Sequence, residues 1–180
     1  MRRGDPGGGG AGPRGIVGSD EAAQHALGLA WAYLNRRDRT VSEVRSQLER
    51  KAVPGAVIEQ CLQALVEQCL LDDVRYAQLF VADKRELEQW GSERIRRGLL
   101  ARGVDRELVD AALAPVTTDD AEAEGSEDTE LARAVELLRR RYPAPPVDRR
   151  EHERALGLLL RKGYESELAL DALASYARGA

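Results

Sequence analysis

The strongest constraint on this chain is that it repeats itself. Residues 41–65, VSEVRSQLERKAVPGAVIEQCLQAL, lie over residues 92–116, SERIRRGLLARGVDRELVDAALAPV, at a shift of 51 positions. Val44 then falls on Ile95, Leu48 on Leu99, Val53 on Val104, Ile58 on Val109 and Leu62 on Leu113. A further shift of 60 carries the second segment onto residues 152–176, with Leu99 on Leu159, Gly103 on Gly163, Leu108 on Leu168 and Leu113 on Leu173. Such recurrence marks one supersecondary unit used three times. The longer second shift is filled by an acidic stretch and YPAPPVDRR, so the insertion falls in a connection.

Each copy is preceded by a further helical stripe. Leu27, Ala30, Trp31 and Leu34 share one face at i, i+3, i+4, i+7 spacing, as do Leu131, Ala134, Val135, Leu138 and Tyr142. Between residues 74 and 89, Tyr76, Leu79, Phe80 and Leu87 supply the middle stripe. The expected fold is all-α: nine helices in three tandem three-helix, helix-turn-helix-like bundles along an elongated chain. Richness in Leu, Ala, Arg and Glu with only 4% aromatics agrees with this, because these side chains lose little rotamer freedom in a helix. The turns ARGV and RKGY set Gly just past a helix end, where positive φ is usual, with a basic residue facing the dipole.

Between residues 117 and 130 stand seven carboxylates and no basic residue, so the rest of the chain carries +3 against the overall −4. An acidic, apolar-poor stretch cannot bury enough surface to offset its ordering entropy. The expected organisation is therefore a disordered Gly-rich arm (1–19), a first repeat (20–70), a second (71–116), an acidic flexible linker (117–128) and a third repeat (129–180). No run of about 18 apolar residues occurs, and MRRGDPGGGGAGPRG lacks the apolar core of a signal peptide. A cytoplasmic protein with two reduced thiols and no membrane association is expected.

Catalysis has no foothold in these residues. Phosphate-loop, zinc-protease and nucleophile-elbow motifs are missing, and Cys61, Cys69, His25 and His152 lie outside any metal-ligand spacing. No catalytic, metal or cofactor residue is expected. Cys61 aligns with Ala112 and Ala172 and reads as a small core residue. Adjacent Asp72 and Asp73 point about 100° apart on a helix, too few and too divergent for a Mg²⁺ site. Asp72 as an N-cap and Asp73 as a first-turn acid explain the pair.

The basic residues offer a contact surface. Lys51, Arg102 and Lys162 fall at one equivalent position, next to Arg50 and Arg161, where the helix dipole alone would favour them. Arg94, Arg96 and Arg97 cluster at the opposite end of their helix, where the dipole opposes cations, and Arg45 is the equivalent of Arg96. A basic face on a tri-helical repeat suits an acidic protein groove or a phosphate backbone.

LLDDVRYAQLFV followed by WGSERIRRGLLARGVDRELVDAAL resembles the central repeat of the RecX regulators of the RecA recombinase. The matching positions are Leu71, Asp72, Asp73, Arg75, Tyr76 and Ala77, then Gly91, Arg94, Ile95, Leu99 and Gly103, and the likeness extends from about residue 24 to 177. The chain departs from the pattern at Ala52 and Cys69, where Gly is commoner, and at Gly98, where an acidic helix former is usual. The resemblance implies a non-enzymatic modulator, an inhibitor, that binds as a monomer in the groove of the RecA filament on single-stranded DNA. There it would oppose filament extension and suppress ATPase, strand exchange and LexA self-cleavage, with weak direct DNA binding. Arg94, Arg96, Arg97, Arg102, Arg45, Lys51, Arg161 and Lys162 are the expected contacts. The alternative is a helical-repeat nucleic-acid-binding scaffold with no recombinase partner.

Overall fold

The computed structural model describes residues 14–114 and 129–179. Among them are nine α-helices and no strand: α1 (Arg14–Leu34), α2 (Val41–Arg50), α3 (Gly55–Glu67), α4 (Asp73–Glu86), α5 (Ser92–Leu100), α6 (Arg106–Leu113), α7 (Glu130–Arg141), α8 (Arg149–Lys162) and α9 (Ser166–Arg178). They divide into two compact units, Met1–Leu71 and Asp72–Ala180. The expected linker 117–128 lies outside the described residues, as do residues 1–13 of the expected arm. Its last residues are not an arm: α1 already runs from Arg14. A helix nucleated over a packed segment extends at little further cost, which outweighs the weak propensity of Gly15 and Gly18.

In the first unit α1 packs on α2 and α3. Its core holds Ala26, Ala30, Val44, Leu48, Ile58, Cys61, Leu62 and Leu65. Leu71 also belongs to this core, 1% exposed, with its N–H donating to the Leu65 carbonyl at 3.2 Å. The second repeat therefore begins one residue later than expected. Burial in this core pushes the Cys61 thiol pKa up.

The second unit contains two bundles. α4 packs on α5 and α6, while α9 receives both α7 and α8. The first helix of every bundle buries two residues one turn apart at matched positions, Ala26 and Ala30, Ala77 and Val81, Ala134 and Leu138, of which the first is alanine in every copy. Small side chains allow close axial approach, so the buried seam centres on them. This corrects the expected stripes, because the bulkier Trp31, Leu79 and Leu87 fall outside the seam and are 43%, 53% and 73% exposed. Leu131, at 37%, is displaced likewise.

Turn geometry follows the repeat. The position after the second helix is left-handed in all three copies, with φ of +56° at Ala52, +74° at Gly103 and +90° at Gly163. Cys69 is left-handed too, at +55°. The two departures from a Gly-rich pattern thus sit where Gly would be least strained.

Candidate functional site

The site is built around the start of α5, and its unusual feature is how that helix is capped. The first N–H groups of a helix have no partner within it. Thr40 solves this for α2: its hydroxyl accepts from the Glu43 amide at 3.1 Å, while the Glu43 carboxylate accepts from the Thr40 amide at 3.2 Å. Asp72 caps α4 in the expected way, accepting from the Arg75 amide at 2.9 Å, with Asp73 in the first turn. In α5 the N-cap is Gly91, which has no side chain to offer.

The third repeat supplies the acceptors. The Gly91 amide donates to the Lys162 carbonyl at 2.9 Å and the Glu93 amide to the Gly163 carbonyl at 3.2 Å. Glu130 takes the Ser92 amide and the Ser92 hydroxyl, each at 2.7 Å, on separate carboxylate oxygens. The C-terminal carbonyls of α8 thus meet the N-terminal amides of α5, and the two dipole ends complement each other. Such proximity needs bare backbones, since a Cβ at Gly91 would overlap the Gly163 carbonyl and one at Gly163 would overlap Arg94.

Beside this junction, cations are held by rings and carbonyls. Arg94 stacks 4.1 Å from the Trp90 ring centre and donates to the Arg161 carbonyl at 3.1 Å. Lys84 lies 5.1 Å from Trp90 and 5.7 Å from Phe80, and Arg102 4.8 Å from Phe80. Phe80 meets Trp90 edge-on and stacks with Tyr76. Lys162 reaches across to the Glu88 carbonyl at 2.6 Å, and Arg102 donates to the Gly98 carbonyl at 2.6 Å. Gly98 leaves room for the Phe80 ring, 3.2 Å from where a Cβ would stand. These anchors are neutral, and a guanidinium gripped by its face keeps hydrogen-bonding capacity at its edge. Lys84 also has Glu88 at 3.7 Å. The arrangement is a positively charged, aromatic-backed ridge able to receive anionic groups.

The structure separates the expected contact residues. Arg94, Arg102, Arg161 and Lys162 contribute to the junction or its ridge. Arg96 instead pairs with Asp110 and lies 3.6 Å from Glu93, and Arg97 donates to the Glu93 carbonyl at 3.2 Å. Arg45 pairs with Glu59, the equivalents of Arg96 and Asp110 one repeat earlier. That hydrogen bond holds the Glu59 carboxyl below its usual pKa and raises that of Arg45. Lys51 is the exposed C-cap of α2. Of the motif residues, Tyr76 flanks the ridge, Ala77 is fully buried, Gly91 is the junction, and Gly103 makes a left-handed turn. Arg75 is exposed and supplies the amide that Asp72 caps.

The sequence reading missed Lys84, Ser92, Glu130 and the aromatic backing of the ridge. A signal for the last was present: three of the eight aromatic residues fall between 76 and 90.

A second feature of this unit is a cleft of about 780 Å³ lined by Gln78, Arg85, Arg133 and Tyr164 among others. The Tyr164 hydroxyl is buried without a hydrogen-bond partner among the described residues. Burial pushes its pKa up to about 12. Among the described residues no group of three or more His, Cys, Asp or Glu could hold a metal ion, and no helix is long and apolar enough to cross a membrane.

Comparison with known proteins matches all three bundles in order. Residues 26–65, 72–113 and 128–173 fit the models for the first, second and third three-helix domains of RecX. The Regulatory protein RecX of Trichlorobacter lovleyi is 32% identical over 156 residues, covering 85% of this chain and 96% of its own length. That of Lactobacillus delbrueckii subsp. bulgaricus, a longer protein, is 35% identical over 100 residues, 56% of this chain and 37% of its own. In fold, the crystal structure of RecX from Lactobacillus salivarius matches with a TM-score of 0.72 at 21% identity, covering 87% of this chain and 97% of that one.

Proposed function

This chain belongs to the RecX family of regulatory proteins, and from that premise we propose that it is a non-enzymatic inhibitor of the RecA recombinase. It acts in the cytoplasm as a monomer, lying in the groove of the RecA filament on single-stranded DNA and bridging neighbouring protomers. Occupying the groove opposes filament extension and suppresses ATPase, strand exchange and the stimulated self-cleavage of LexA. The observation that carries the reading is the ordered match of three RecX domains to three bundles. A chain of equivalent modules suits a repeating polymer, because each further module engages at high effective concentration.

The ridge supplies the contact chemistry on this reading. Lys84, Arg94, Arg102, Arg161 and Lys162 meet acidic groove residues or DNA phosphates, and Arg45 and Arg96 are engaged with Glu59 and Asp110 of their own repeats. Double charge reversal, Arg102→Glu with Arg161→Glu, should raise the concentration for half-inhibition by about tenfold. Reversal at Arg96 should change it less.

The test is hydrolysis of ATP by the cognate RecA on single-stranded DNA, with and without this protein. Substoichiometric inhibition supports filament binding, and absence of any effect overturns it. The ridge's aromatic backing favours one second reading, a nucleic-acid-binding scaffold without a recombinase partner. That reading requires tight binding to naked DNA with a steep salt dependence.

A further inference from the structure

The ridge is carried by the second repeat, yet the start of α5 is held by the third. Three of the four backbone amides from Gly91 to Arg94 donate to acceptors in residues 130–163, and the fourth, Arg94, donates to the Gly91 carbonyl at 3.2 Å. Two ridge cations cross the same boundary: Arg94 to the Arg161 carbonyl and Lys162 to the Glu88 carbonyl. Among the described residues, Glu130 is the one side chain of this junction that places an acceptor on α5, and it does so twice from the first position of α7, 38 residues along the chain.

We infer that Glu130 is a positioning residue: it fixes the first turn of α5, and with it Arg94 and Lys162, so that the ridge keeps its geometry only while the third repeat is docked. The part concerning inhibition rests on the function proposed above. The part concerning the junction does not. Loss of the Glu130 carboxylate leaves the Ser92 amide and hydroxyl without their acceptor, and the first turn of α5 then opens more often than its middle. A disturbance inside the third repeat reaches α5 by the same route. Tyr176, whose hydroxyl donates to the Tyr142 carbonyl at 2.5 Å, lies within that repeat and on neither side of the junction.

Amide hydrogen exchange on the full chain tests this directly. Glu130→Ala should speed exchange at Gly91, Ser92 and Glu93 by about fivefold or more, the equivalent of one helix cap. Ile95 to Leu99 should change much less. Glu130→Gln keeps a carbonyl oxygen for the Ser92 amide and should restore most of the protection. Tyr176→Phe should speed the same three amides more than those of Ile95 to Leu99. Unchanged exchange at Ser92 and Glu93 in Glu130→Ala, or an equal rise throughout α5, overturns the assignment. In parallel, the half-inhibiting concentration in the RecA ATPase assay should rise at least about threefold for Glu130→Ala and recover in Glu130→Gln. Faster exchange with unaltered inhibition overturns the link to the ridge. If the unmodified protein does not inhibit at all, the proposed function fails, and the exchange data still decide the role of Glu130.

Discussion

α2 and α5 occupy equivalent places in neighbouring repeats and bury equivalent residues, Val44 and Leu48 in one, Ile95 and Leu99 in the other. They begin in opposite ways. Thr40 and Glu43 close the start of α2 from within its own repeat, while Gly91 and Arg94, 51 residues later, leave the start of α5 to be closed by Glu130, Lys162 and Gly163. Repeats can thus share a fold while differing in where their end groups find partners. The first repeat is complete at this point, and it falls in a unit of its own. The second repeat lacks this internal closure and shares a compact unit with the third.

The contrast is broken most severely at the docked turn. Gly163→Ala adds a Cβ to a residue at φ +90° whose space is taken by Arg94. A left-handed Ala costs about 1–2 kcal/mol and overpacking a further 1–3. The second unit should lose roughly 3 kcal/mol or more, read as a lowered denaturation midpoint by circular dichroism. Transplanting the α2 box, Gly91→Thr with Arg94→Glu, should also destabilise despite its better capping chemistry, because a Cβ at Gly91 would overlap the Gly163 carbonyl.

Next in size is a pH effect confined to one copy of the repeat. Val53, Val104 and Tyr164 occupy the same position after the turn, so only the third repeat buries a phenol there. With its folded pKa at about 12 and an ordinary value near 10, the folded state holds the proton longer than the unfolded one. Its stability contribution is fully present below pH 10 and is lost as pH rises from 10 to 12. The loss is bounded at roughly 3 kcal/mol from two pH units. Chemical denaturation across that window should show the slope in the parent, and Tyr164→Phe should flatten it.

The two caps can then be compared directly. Thr40→Ala removes an internal cap, and Glu130→Ala removes a supplied one. Each should cost about 1 kcal/mol, within the usual range for N-caps. Hydrogen exchange separates them: Thr40→Ala should loosen the start of α2, and Glu130→Ala the start of α5.

How much of this was written in the sequence depends on the distance between partners. The recurrence of Val44, Ile95 and their kin was legible because each repeat forms its own core. The Asp72 cap was legible because its bond spans three residues. The Arg96 pairing was not legible from the dipole argument, since its carboxylate lies 14 residues away at Asp110. The overlay of repeats held the clue, for Arg45 and Glu59 show opposite charges at the same spacing. The bare start of α5 was also visible, as Gly91 and Arg94 aligned with Thr40 and Glu43. Its partner was not, because no local periodicity connects Ser92 with Glu130 across 38 residues.

The smallest expected effect has the opposite sign to the largest. Ala52 is the counterpart of Gly163 and is also left-handed, at φ +56°, but it is exposed. Its Lys51 neighbour ends α2 with a backbone bond to the Leu48 carbonyl at 3.0 Å, and the Ala52 amide donates to the Glu49 carbonyl at 2.9 Å. Neither bond depends on the side chain. Ala52→Gly therefore removes left-handed strain of about 1–2 kcal/mol and adds unfolded-chain entropy worth about 0.4–1. The balance should be a gain of up to about 1 kcal/mol in the first unit, measured by denaturant titration. At one position of the repeat, then, adding a methyl should be damaging in the third copy and removing one beneficial in the first. If Ala52→Gly instead destabilises, φ alone does not set the requirement for Gly at this turn, and the cost of Gly163→Ala must be assigned to contact with Arg94.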